Sequence, residues 1–334
     1  MQRVLIIQTS SLGDVVLSTA LAETLHDHFP DCIIDFLIKK GYESLFEGHP
    51  FINKVLVWDK KSNKYKNLFS ILKIVRHQHY DLVVNIHRHI STGLLTILSG
   101  ASQRAGFKKN PMAFAFTHSV PHLISATGTE HEIVRNHRLI DNLVNGNPSR
   151  PRLYPTTKDI EKVLPWTNAR FITVSPASLW NTKQFPSHKW VEFLDQVEDG
   201  TKVYLLGAAN DAALCNDIIN RTQNKNIISL AGQLSMLQSA ALMQHAVMNF
   251  VNDSAPMHLA SATNSPVTAI FCSTVTGFGF GPLSDDSAVV ETTEALDCRP
   301  CGLHGHKACP KQHFKCAETI PVKKLNNRIA PLKA

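Results

Sequence analysis

Short apolar runs, each closed by a small polar turn and followed by a helical pattern, recur along the whole chain and leave little choice of fold. The stretch 3–8 (RVLIIQ) runs into Thr9-Ser-Ser-Leu-Gly-Asp14, then into Val15, Val16, Leu17, Ala20, Leu21 and Leu25 at helical spacing. Further runs lie at 32–38, 54–58, 81–86, 171–174, 202–206, 226–230, 246–251 and 266–271. Between them, Tyr65–Gln78 sets Leu68, Ile71, Leu72 and Val75 on one helical face. A continuous apolar run is the mark of a strand buried on both faces, which a parallel sheet covered by helices provides. The alternation predicts an α/β fold class of stacked βαβ units.

A chain of 334 residues has room for two such domains, each with its own core. Around Asn145–Lys158 (NGNPSRPRLYPTTK) the apolar periodicity stops and Pro, Gly, Asn and Ser accumulate, which reads as a linker. The expected organisation is therefore a Rossmann-like domain over 1–150, a linker over 151–168 that also acts as hinge, and a second Rossmann-like domain over 169–315. A Cys-rich loop occupies 298–316 and a tail 316–334, whose basic part, Lys323 to Lys333, is expected to pack as a helix against the first domain. Parallel sheets facing across a cleft would offer two sets of strand ends to a ligand.

Composition narrows the partners. No apolar run reaches the roughly 18 residues that span a bilayer, and the run Val4–Ile7 is too short for a signal-peptide core, so a cytoplasmic location is expected. The net charge of +7 favours an acidic partner: nucleic acid, a phosphorylated small molecule or an anionic membrane surface. A basic, zinc-bearing nucleic-acid-binding protein would interleave aromatic residues with its basic patches. The clusters at Lys39-Lys40, Lys60–Lys66 and Lys108-Lys109 lack that interleaving, so no nucleic acid is expected.

The turns carry the chemistry. In Ala246–Ala262 (AVMNFVNDSAPMHLASA), strand, turn and helix follow one another, with Asp253 or Ser254 as cap and Pro256 in the first turn. Free N–H groups at such a helix start, reinforced by the helix dipole, seat a phosphate, and His258 lies one turn inside. Two more polar turns follow neighbouring strands, Ser178–Lys183 and Gly207–Asp211. Lys183 would add a full charge to the backbone donors, and Asp211 could accept from ribose hydroxyls. In the first half, Ser10, Ser11, Gly13 and Asp14 occupy the first strand end, where Asp14 serves either as helix cap or as a functional carboxylate. His87-Arg88-His89 follows another strand end, as anion contacts or as solvated loop.

Read together, TSSLGDVVLSTALAETL, SLWNTKQFP and VNDSAPMHLASATNSPVTAIFCST resemble the ADP-heptose:lipopolysaccharide heptosyltransferases, glycosyltransferase family 9, of the GT-B fold. The resemblance runs from Arg3 to about Cys316, and the Cys-rich end is closer to the heptosyltransferase II branch. It implies an acceptor domain followed by a nucleotide-sugar domain. Asp14 matches the family's catalytic base, and Ser10, Ser11 and Gly13 match positions lining the acceptor and donor cleft. Lys183 matches the lysine that meets the donor pyrophosphate, with Ser178 before it, and Asp211 the ribose-binding acid. Asp253, Ser254 and His258 match residues that seat phosphates and sugar. Ala255 stands where glycine is usual, and Phe185 where tryptophan is commoner.

The implied reaction is inverting transfer of heptose from ADP-L-glycero-D-manno-heptose to a phosphorylated Kdo-lipid A type acceptor in the lipopolysaccharide inner core. It would take place peripherally at the inner face of the cytoplasmic membrane. No Asp-x-Asp motif sits in a suitable turn, in keeping with an enzyme that needs no metal cofactor. The alternative keeps the fold and changes the donor to another nucleotide sugar, or the reaction to epimerisation. Cys298, Cys301, Cys309 and Cys316, interleaved with His304, His306 and His313, allow a structural zinc site, free thiols in a compact loop or a redox role.

Overall fold

The computed structural model describes residues 1–329. The chain forms two compact units, Met1–Ile124 with Glu130–Tyr154, and Ser125–Thr129 with the chain from Pro155 onward.

The first unit runs β1 (Arg3–Ile7), α1 (Leu12–His28), β2 (Ile33–Lys39), β3 (Ile52–Trp58), α2 (Lys64–His77), β4 (Leu82–Asn85), α3 (Ile90–Ile97), β5 (Gln103–Phe107), β6 (His118–Val120) and α4 (Glu132–His137). Its strands form one parallel sheet in the order β3-β2-β1-β4-β5-β6. Helix α1 is apolar almost all round and buried from Val15 to Leu25. Its Ser18, Thr19 and Thr24 hydroxyls each donate to a carbonyl three or four residues back, which is how they tolerate burial.

The second unit runs α5 (Thr157–Val163), β7 (Phe171–Ser175), α6 (Ser187–Leu194), β8 (Lys202–Leu205), α7 (Ala212–Arg221), β9 (Ile227–Ser229), α8 (Met236–His245), β10 (Asn249–Asn252), α9 (Ala255–Ala262), β11 (Val267–Phe271), β12 (Ser287–Glu291), α10 (Lys315–Glu318) and α11 (Lys323–Asn326). Its parallel sheet has the order β12-β11-β10-β7-β8-β9. In both sheets the chain winds outward to one edge, then returns to the far side of the first strand. The reversal falls between β1 and β4 in one unit and between β7 and β10 in the other. Open α/β sheets take ligands beyond the strand ends at such a switch point.

Two expectations change. The tail joins the second unit's own core instead of covering the first: Ile320, Val322 and Leu325 are buried there with Trp190, Phe193 and Leu194 of α6. Burying three apolar side chains outweighs the pull of a basic surface on this segment; the end of that tail, through Lys333, lies outside the described residues. The first helix also begins earlier than the apolar pattern suggests, at Leu12, so Gly13 lies inside its first turn and not in a bend.

Within 145–158, Ser149 and Arg152 donate from their backbone N–H groups to Thr24 and Thr19 of α1. Tyr154 donates its hydroxyl to Glu23 at 3.0 Å. Helix α5 then starts at a capping box made by Thr156 and Asp159.

Candidate active site

At the switch point of the second unit, the β10 end is locked to the loop after β7 by one buried side chain. Asn252 donates from Nδ2 to Pro176 O at 2.9 Å and accepts from Phe185 N–H at 2.9 Å. Asp253 does not cap α9. Its Oδ2 lies 2.6 Å from Lys183 Nζ and accepts from Thr274 Oγ1 at 2.5 Å. Ser254 occupies the N-cap position in extended backbone, but its side chain makes no cap bond, and Pro256 sits in the first turn. The Ser254 side chain thus leaves the α9 start without its usual cap bond, while the Lys183 ammonium is held by the Asp253 carboxylate just before it. An ammonium near a helix N-terminus is unfavourable alone, and Asp253 offsets that cost. Ser254 and Ala255 are half-buried, and His258 is buried one turn inside.

The turn bearing Lys183 is clasped from behind by the Cys-rich loop. Thr182 Oγ1 accepts from His306 N–H at 2.7 Å and from Ser273 Oγ at 3.0 Å, while Thr182 N–H donates to His306 O at 3.1 Å. Gly305, with φ of +74°, is pressed so close that an added Cβ would lie 2.7 Å from Thr182 Oγ1 and 3.1 Å from Lys183 Cγ. Arg299 anchors the same loop by donating to Cys272 O at 2.8 Å and Thr274 O at 2.7 Å. The Ser178 backbone N–H donates to Gln184 Oε1 at 3.2 Å. Asp211, after β8, accepts from Ala208 N–H at 2.8 Å through Oδ2.

At the switch point of the first unit, Ser11 is the N-cap of α1 and shares a capping box with Asp14. Asp14 Oδ2 accepts from Ser11 Oγ at 2.7 Å and from Ser11 N–H at 3.1 Å. Ser10, half-buried, donates its N–H to Gln8 Oε1 at 3.1 Å. Lys60, from the β3 end, donates to Thr9 O at 3.0 Å and Thr9 Oγ1 at 2.9 Å, so its charge sits on the β1 end. Beyond β4, burial pushes the His87 imidazole down to about 3; the Lys60 charge adds to this and Asp14 opposes it. His87 Nδ1 and Asn85 Nδ2 are buried without a hydrogen-bond partner among the described residues.

Both switch points thus carry polar side chains at a helix start. The sequence model of glycosyltransferase family 9 (heptosyltransferase) matches residues 68–310. The chain belongs to glycosyltransferase family 9. It is 27% identical over 279 residues to lipopolysaccharide heptosyltransferase 3 of Escherichia coli K12, covering 78% of this chain and 80% of that protein. Its fold matches E. coli ADP-heptose lps heptosyltransferase II at a TM-score of 0.77 and 19% identity, over 98% of both chains. It matches E. coli heptosyltransferase WaaC with ADP at 0.74 and 18% identity, over 98% of this chain and 100% of that one. The fold class is that of these GT-B enzymes, two Rossmann-like units.

Within this glycosyltransferase, Lys183, Asp253, Ser254, Ala255 and His258 gather at one helix mouth, with Ser178 on the loop that Asn252 ties to it. Ser10, Ser11, Gly13 and Asp14 gather at the start of α1. Asp211 follows β8, the strand next to β7. Phe185 is fully buried and meets Trp190 edge-on, with ring centroids 5.2 Å apart, so this aromatic position belongs to the core. Sequence reading missed Thr182, Asn252, Ser273 and Thr274, which hold the lysine and carboxylate in place. Only Asn252 carried a signal, as the polar residue at which the apolar run 246–251 breaks.

None of the four loop cysteines forms a disulfide, and burial raises the thiols of Cys301 and Cys316, the latter to about 12. Cys298 Sγ lies 3.8 Å from His313 Nε2, and Cys301 Sγ turns to Cys298 O at 3.2 Å. Among the described residues no three His, Cys, Asp or Glu side chains are placed as a metal's ligands would be. Besides burial, Cys301, Cys309 and Cys298 add to the rise at Cys316, so the four thiols lie near one another; no step below passes through a metal.

Proposed function

We propose that this enzyme transfers heptose from ADP-L-glycero-D-manno-heptose to the phosphorylated Kdo-lipid A region of the lipopolysaccharide inner core, with inversion and without a metal. The observation that carries the reading is the Lys183–Asp253 pair at the mouth of α9, whose N-cap Ser254 makes no side-chain cap bond. As the bond from C1 to the diphosphate breaks, the departing ADP gathers negative charge. Lys183 and the N–H groups of α9 offset it, and such fixed donors act most strongly where charge develops. His258 and Ser178 contact sugar and phosphate, and Asp211 takes ribose hydroxyls through the carboxylate oxygen not bonded to Ala208.

The acceptor hydroxyl attacks C1 on the face opposite ADP, and its proton passes to Asp14, whose capping box fixes one oxygen and orients the other. Ser10, Ser11 and Gly13 line that end of the reaction. The relatives' names support the donor and acceptor, since they are lipopolysaccharide heptosyltransferases and an ADP-heptose enzyme. The work belongs to the cytoplasmic face of the inner membrane, where such an acceptor is assembled.

Calorimetric titration with ADP, UDP and GDP, followed by turnover of ADP-heptose on a Kdo-lipid A acceptor with and without EDTA, tests the reading. ADP is expected to bind tightest, EDTA to leave the rate unchanged, and Asp14→Asn to lower kcat by 100-fold or more on the usual scale of general-base loss, roughly 10²–10⁴. A preference for UDP or GDP overturns the donor, and normal turnover by Asp14→Asn overturns the base.

A further inference from the structure

The positive charge of this protein is not spread over it. From residue 60 to 124 there are ten Lys and Arg and a single acidic residue, Asp81; the rest of the chain has 24 Lys and Arg against 26 Asp and Glu. Asp81 is itself consumed by the fold, accepting from Gln2 N–H at 2.6 Å and Arg3 N–H at 2.9 Å. The same 65 residues hold seven of the 15 exposed large hydrophobic side chains among the described residues, about twice their share by length. Excess cation and excess exposed apolar surface therefore coincide.

The fold sorts them onto one layer. Helices α2 and α3 cover the same face of the first sheet, where Ile71, Val75 and Leu95 pack with Leu5, Leu37 and Val83. Their outer surfaces are what remains. On α2, Lys66, Phe69, Lys73 and Arg76 follow one another at helical spacing and are exposed, Phe69 by 66%. On α3 and its C-cap, Ile90, Leu94 and Leu98 recur every four residues and are exposed by 53, 38 and 44%, so an apolar stripe faces outward here. The loop after β5 lies against α3 at Gly93, where a Cβ would come within 2.9 Å of Met112, and it adds exposed Lys108, Lys109 and Phe114. A water-facing helix layer ordinarily carries charges of both signs on its outer surface.

We infer that the outer layer of α2 and α3, with the loop at Phe114, is the surface by which this protein lies on an anionic bilayer. Lys and Arg draw such a surface to acidic headgroups while their stems and the intervening Phe and Leu enter the interface. No helix of the described chain is long and apolar enough to cross the membrane, so contact through this face would be peripheral. The inference deepens the functional reading, because a lipid-borne acceptor requires the enzyme to work at such a surface, but the binding itself can be measured without any transfer.

The test is sedimentation of the full chain with sucrose-loaded vesicles of phosphatidylcholine, alone or with 30 mol% phosphatidylglycerol (an assay choice of about that fraction). Binding is expected only to the anionic vesicles and should weaken with added salt. The triple variant Lys66→Gln, Lys73→Gln, Arg76→Gln should lower the partition coefficient roughly 100-fold, at about fivefold per lost cation. Leu94→Ser with Phe69→Ser should lower it roughly tenfold or more. All variants should keep the wild-type affinity for ADP and the wild-type rate on a de-acylated, soluble acceptor.

Equal binding of wild type and triple variant, or no binding of either, overturns the surface. So does salt-sensitive capture of duplex DNA in place of vesicles, or self-association that Leu94→Ser abolishes while vesicles go unbound. Loss of transfer on the soluble acceptor with vesicle binding intact would instead count against the heptosyltransferase reading and leave the surface standing.

Discussion

Lys183 and Asp253 are 2.6 Å apart, and both are largely shielded from water. Removing the ammonium leaves a buried carboxylate unpaired and takes one full charge from the phosphate seat. Lys183→Met is expected to weaken ADP binding by roughly 10- to 100-fold, the range for a hydrogen bond to a charged group, with calorimetry as the check. Glu23 presents the opposite case. Burial raises its carboxyl from 4.5 to about 7, against the hydroxyl bond from Tyr154. Because the folded state favours the neutral form, this group supports the fold fully below about 4.5, and the support is lost as pH rises through about 7. Glu23→Gln keeps a Tyr154 partner and removes the charge. Thermal unfolding should find it no more stable than wild type at pH 4.5 and more stable at pH 8 by about 2–3 kcal/mol.

At the scale of elements, the candidate site depends on loops that brace one another. The Cys-rich loop holds the Lys183 turn through Thr182, Gly305 and His306, and holds the β11 end through Arg299. Thr182→Val strands the His306 N–H, a loss of about 1–3 kcal/mol. Gly305→Ala adds a Cβ where Thr182 Oγ1 would be 2.7 Å away, at a φ of +74° that only glycine adopts without strain. Both are expected to raise the Kd for ADP several-fold while leaving the Asp14 rim unaltered. If ADP binds either variant as it binds wild type, the loop does not position the lysine. The helix starts α1 and α9 differ in the same informative way. Ser11 and Asp14 close the first with a capping box, whereas the Ser254 side chain makes no cap bond at the second.

For the molecule as a whole, donor binding should be read in one unit more than the other. With ADP in excess, hydrogen exchange is expected to slow across 178–184 and 253–258 and to change little across 9–14 or 85–89. Protection centred on the first unit would assign the nucleotide to the wrong rim.

Much of this protein follows from local sequence. A strand buried on both faces has to be apolar throughout, so β1, β4, β7, β10 and β11 announced themselves, and with them two parallel sheets. Asp253 and Ser254 directly follow β10, while Asp14 and Lys183 lie in the polar stretches after β1 and β7, which is why the sequence singled them out. Short strands such as β6 and β12 were not legible, since three to five residues at a sheet edge carry no distinctive period.

Partnership was beyond the sequence. That Asp253 grips Lys183 instead of capping α9, that Thr182 is held by a loop 124 residues away, and that Phe185 and the tail sink into a core all depend on side chains brought together from distant positions. So does the gathering of cations and bare apolar residues on α2 and α3. Hydrophobic periodicity determines which residues leave water, because that depends on near neighbours along the chain. Which of them then meet depends on how the strands are ordered, and only the folded sheet decides that.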